Sequence, residues 1–153
     1  MRNERAQWSL CVLLAAVSAG TLDIGAAALI NQVNPILILQ GIAGVAFKSA
    51  PRAGSVWSAV IGLLVQWGLS AIIAAIALEF SRQVRVLREH WMAAGLAYGA
   101  AIFGVMNYIV LPLSRFGHVP HFTALRFFAN VLAMLMFGLI ISAFGRARPG
   151  IAG

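Results

Sequence analysis

The sequence predicts an all-α polytopic membrane protein with four transmembrane helices and one short re-entrant or interfacial helix. Three observations lead there. Of 153 residues, 61% are hydrophobic and only 10% charged, against roughly 25% charged residues in soluble domains. Four apolar stretches, residues 8–30, 56–78, 91–111 and 127–144, reach the length of about 20 residues that a bilayer crossing needs. The connections between them are short, so residues 1–153 read as a single integral membrane domain.

The first span opens behind Arg2 and Arg5. Its start resembles a secretory signal peptide, with two arginines, an apolar run over residues 10–17 and the triplet Val17-Ser18-Ala19. The apolar pattern continues past Ala19 to Ile30, so an uncleaved signal anchor is expected. Cys11, the single cysteine, reads as a small packing residue. Ala16 and Gly20 offer a face for close helix packing. Asp23, two-thirds of the way along, is the one acidic residue inside any of the four stretches.

Asn34-Pro35 reads as a helix start, since Asn caps well and Pro suits the first helical position. Residues 35–48 then cover only about 21 Å as a helix, too short to span. Gln40, Gly44 and Lys48 recur at four-residue spacing and leave a weakly polar stripe on an otherwise apolar helix. Pro51, Gly54 and Ser55 turn the chain into the second span, which carries Gln66. Glu79, just beyond it, is expected to pair with Arg82 or a neighbour at the interface.

On the third span, Gly95 and Gly99, continuing to Gly104, mark a face for packing within the bundle. Pro112 ends that helix. The loop over residues 114–123 holds His118, Pro120 and His121, and the tail over 149–153 is expected to be disordered. No fixed-period repeat and no inverted pair of half-domains is visible.

The net charge of +7 reads as topology, not as a nucleic-acid surface. Arg2, Arg5, Arg82, Arg85, Arg88, Arg146 and Arg148 fall on one side, and Lys48, Arg52, Arg115 and Arg126 on the other. That excess places both termini and the middle loop in the cytoplasm. The lipid bilayer is the expected contact of these residues. Trp8, Trp57 and Trp91 lie at helix ends, where indole rings settle at headgroup level. Arginine outnumbers lysine ten to one in a chain rich in Ala and Gly. Such usage accompanies GC-rich bacterial genomes and fits a bacterial inner membrane.

At about 1.5 Å per residue, Asp23, Asn107 and Asn130 lie roughly 22, 24 and 21 Å in from Trp8, Trp91 and Phe144. Three helices thus carry a carboxylate or carboxamide at one level, with Gln66 nearer the midplane and Thr21 and Gln40 as secondary polar positions. A carboxylate at that depth costs at least a few kcal/mol unless paired, hydrated or neutralised. No Lys or Arg stands at this level, and Arg126 is the nearest, a turn shallower. Two readings follow. One is structural, with hydrogen bonds across helices worth about 0.6 kcal/mol each; the other is a proton- or cation-coupled site.

Other chemistry finds little support. His118 and His121 have no third ligand nearby. There is no phosphate-binding glycine loop, no nucleophile elbow and no pair of carboxylates in one place. Ser18, Thr21 and Ser70 read as hydroxyls bonded back within their own helices. A protein without enzymatic activity, cofactor or metal is expected.

Three segments resemble a widespread family of small four-helix bacterial inner-membrane proteins: Gly20-Thr21-Leu22-Asp23, Leu39-Gln40-Gly41-Ile42-Ala43-Gly44, and Met106-Asn107-Tyr108-Ile109-Val110-Leu111-Pro112-Leu113-Ser114. The similarity runs from about Gly20 to Gly138. It implies four spans with a short helix after the first, includes Asp23, Gln40, Asn107 and Pro112 in its pattern, and carries no established activity. Relatives in that family often have His where Gln66 stands, which lowers the expectation of a proton relay through this chain. The expected function is packing or partner binding, with itself or another membrane protein, around Asp23, Asn107, Asn130 and Gln66. A small-solute or proton-coupled transporter using Asp23 is the alternative.

Overall fold

The computed structural model describes residues 2–47, 55–110, 112 and 123–146. Lys48, Pro51, Arg52, Gly54, Arg115, His118, Pro120, His121, Arg148 and the tail 149–153 lie outside the described residues. The elements are α1 (Arg2–Asn31), α2 (Pro35–Ala46), α3 (Val56–Gln83), α4 (Arg85–Glu89), α5 (Trp91–Val105), a π-helical segment (Met106–Val110) and α6 (Ala124–Arg146). No strand occurs among the described residues. Four segments are long and apolar enough to cross a membrane: Ala6–Asn31, Val56–Gln83, Trp91–Val110 and Ala124–Arg146. The chain is an all-α, multi-pass membrane protein.

Local chemistry sets the helix ends. α1 stops at Gln32, whose φ of 53° is left-handed, and Val33 N–H closes back on the Ala28 carbonyl at 3.1 Å. This bond satisfies a terminal carbonyl and offsets part of the cost of a left-handed residue with a Cβ. Asn34 Oδ1 then accepts from Ile36 N–H at 2.9 Å, with Pro35 at the first helical position of α2. Ser55 Oγ caps α3 by accepting from Ser58 N–H at 3.2 Å.

Several helices outrun their apolar stretches. α3 continues from 78 to Gln83 because Glu79 accepts from Arg82 at 3.1 Å and from Gln83 at 3.4 Å, pairs that sustain a helix in the polar interface. The middle loop is shorter than expected and forms α4, where Arg85 Nε meets Glu89 at 2.8 Å.

The four long helices run alternately up and down. Gly20 of α1 faces Trp67 and Ser70 of α3, while Gly95 and Gly99 of α5 face Gly138 and Leu135 of α6. α6 is the hub and packs against α1, α3 and α5. The core joins Val12, Ala15 and Ala19 of α1, Ala74, Ala77 and Leu78 of α3, and Phe137 and Ile141 of α6. Its many alanines let backbones approach closely, which drives association where hydrophobic burial cannot. Gly95 and Gly99 are both buried in the α5–α6 contact, whereas Gly104 meets nothing and stands outside it.

α2 lies along the first third of α3. The Leu39 carbonyl sits where a Cβ on Gly62 would be, and Gln40 Nε2 donates to the Ser55 carbonyl at 3.2 Å. Gly62 is about 9 Å into α3, so α2 packs beside the first turns of a spanning helix. Trp8 packs on the core, and its indole Nε1 is buried without an acceptor among the described residues.

Candidate functional site: a polar seam between α1 and α3

α1 and α3 meet through a row of polar contacts above the alanine core. Gly20 admits the closest approach, since a Cβ there would lie 2.7 Å from Ser70 Oγ and 3.3 Å from Trp67 Cδ1. One residue on, Trp67 Nε1 donates to Thr21 Oγ1 at 3.3 Å. Gln66 Nε2 donates to Asp23 Oδ2 at 2.7 Å, a length typical of a charge-assisted bond. Asp23 enters no ion pair among the described residues, Arg126 included.

The partner of Asp23 differs from the depth-based expectation. Asn107 and Asn130 turn back on their own helices, Asn107 Nδ2 donating to the Phe103 carbonyl at 2.9 Å and Asn130 Nδ2 to the Arg126 carbonyl at 2.8 Å. Gln66, placed nearer the midplane by sequence, is the residue that reaches Asp23. The reason is the length of α3. Counted from the ends of the apolar helices, Ala6 and Gln83, Asp23 and Gln66 both lie about 25 Å in. Thr21 likewise accepts across the interface from Trp67, where a bond within its own helix was expected. Gln40 belongs to the α2–α3 contact, away from this seam.

Asn107 has its own setting. It is buried in the π-helical segment Met106–Val110, and its amide supplies the Phe103 carbonyl with a partner where the turn widens. Pro112 follows within one turn, and a proline cannot donate to the helical ladder before it. The sequence read this stretch as continuous α-helix. Asn followed five residues later by Pro was the available signal.

Sequence reasoning also missed Trp67 and Tyr98, and it read Ser70 only as a hydroxyl bonded back within its own helix. Gln66, Trp67 and Ser70 form an i, i+1, i+4 set on one side of α3, which could have marked the face toward α1. Tyr98 of α5 donates its hydroxyl to the Ile73 carbonyl of α3 at 2.7 Å, tying those helices together.

Chemically, the seam holds one carboxylate against one neutral amide. Gln66 can donate to ionised Asp23 or, with its amide reversed, accept from the protonated acid. No group of three or more His, Cys, Asp or Glu converges among the described residues. Comparison with protein-family models, curated proteins and solved structures finds no match.

Proposed function

We propose that this protein is a small non-enzymatic membrane component of a bacterial inner membrane, with both termini in the cytoplasm. It works by association with itself or another membrane protein, and the Asp23–Gln66 pair fixes the packing of α1 on α3. The observation that carries this reading is the 2.7 Å bond from Gln66 to Asp23, flanked by the Gly20 approach to Ser70. Together they make Asp23 part of a helix contact. The resemblance to small four-helix inner-membrane proteins accords with it.

A second reading, a proton-coupled or small-solute carrier, draws on the same residue. Asp23 has no basic partner among the described residues, and membrane carboxylates held only by neutral groups serve as coupling sites. Proteoliposomes carrying a pH-sensitive dye separate the two. Association predicts equal proton leak for the wild type, Asp23→Asn and empty vesicles, with Asp23→Asn still assembling. Gln66→Leu should lower stability by about 1–3 kcal/mol by stranding the carboxylate. Proton flux in the wild type that disappears in a well-folded Asp23→Asn variant would establish the carrier instead.

A further inference from the structure

At the opposite end of the bundle from α2, the ends of α3 and α6, the start of α5 and all of α4 converge. An open concavity of ≈ 230 Å³ there is lined by Arg85, Arg88, Glu89 and Arg146. We propose that it binds the phosphate of an anionic phospholipid headgroup.

The charge balance of the lining calls for an anion. Three guanidinium groups face one carboxylate, and Glu89 is engaged by Arg85 through Nε at 2.8 Å. Two positive charges therefore remain uncompensated within the lining. Arg88 Nε is buried and has no acceptor among the described residues. A buried donor on a charged group is costly to leave unmade, and a phosphate oxygen is the acceptor that guanidinium geometry suits best.

The level of the concavity argues for a lipid as the source of that phosphate. Arg146 lies over the Trp91 ring, 5.4 Å from its centroid, and Trp at the end of a spanning helix marks the headgroup layer. From that point α5 exposes Met92 and Leu96, one turn apart, at 57% and 40%, an apolar track for an acyl chain. Basic pockets between helices at this level bind anionic headgroups.

The full-length protein, purified in a neutral detergent, is titrated with phosphatidylglycerol, with phosphatidylcholine and with inorganic phosphate, reading thermal unfolding and lipid retention by native mass spectrometry. Phosphatidylglycerol should raise the unfolding temperature and stay bound, while phosphatidylcholine and inorganic phosphate should do neither. Arg88→Gln and Arg146→Gln should each weaken phosphatidylglycerol binding about fivefold. Arg85 is exposed, its side chain at 84%, so Arg85→Gln should keep the fold and still reduce binding. Arg82→Gln removes the same charge outside the concavity and should leave binding unchanged. Equal loss in Arg82→Gln would reduce the effect to net charge and overturn the proposal. Stabilisation by inorganic phosphate to the same extent would identify a free anion as the ligand and overturn the lipid assignment.

Discussion

Gly138 offers the sharpest test of how this bundle is held together. A Cβ placed on it would overlap the Gly95 carbonyl and lie 2.6 Å from Gly99 N and 2.8 Å from Gly99 Cα. Every one of these atoms is backbone, so no side chain can rotate away. To reach ordinary contact the α5 and α6 backbones must part by about 1 Å, and a gap of that size forfeits about half of the dispersion energy of the atoms it separates. The expected cost of Gly138→Ala is about 1–3 kcal/mol of packing. Against it stands the helix-propensity gain of Ala over Gly, about 1 kcal/mol. Gly68→Ala isolates the packing term. Gly68 is within α3, exposed, with nothing within 4 Å of a new Cβ, so it collects the propensity gain alone. Reversible unfolding in mixed micelles, followed by tryptophan fluorescence, should place Gly138→Ala below Gly68→Ala by the full packing cost. If the two variants agree to within about 0.5 kcal/mol, the glycine contact does not fasten α5 to α6.

Gly62→Ala addresses α2 in the same way. The new methyl would occupy the position of the Leu39 carbonyl, so α2 must lift from α3, and a cysteine placed on Leu39 should gain reactivity toward a membrane-permeant thiol reagent. Unchanged labelling would contradict the packing of α2 along α3. Tyr98→Phe removes the hydroxyl that reaches the Ile73 carbonyl at 2.7 Å and should cost about 1 kcal/mol in the same unfolding assay. An unaltered midpoint would mean that this bond adds nothing to the α3–α5 contact.

Depth was legible in the sequence; direction was not. A residue count times the helical rise placed Asp23, Asn107 and Asn130 at a common level, and four helices long and apolar enough to span cover the stretches that hydropathy marked. Which way each side chain faces is a separate question, because each residue turns by about 100°. Amphipathic periodicity normally answers it, but helices immersed in lipid are apolar on every side, so the usual stripe is missing. Asn107 and Asn130 share the level of Asp23 yet serve the Phe103 and Arg126 carbonyls of their own helices. Gln66, displaced in the count because α3 runs on to Gln83, is the residue that faces it. The signals of direction that survive in such a chain are small residues. Gly20, Gly62, Gly95, Gly99 and Gly138 each mark a spot where another helix comes too close for a Cβ. A Cβ added to Gly25, Gly41, Gly44, Gly68 or Gly104 would find open space, so glycine by itself does not mark a close helix approach. Between spanning helices the contacts carry a second polar or small residue on the neighbour, Ser70 across from Gly20 and Gly138 across from Gly95 and Gly99, whereas Gly62 meets the backbone of Leu39 on α2. The seam at Asp23 follows the same rule, since the Gly20 approach brings α1 near enough to α3 for a glutamine to span the gap. The carboxylate therefore sits in a helix contact whose geometry was set by its small neighbour three residues earlier.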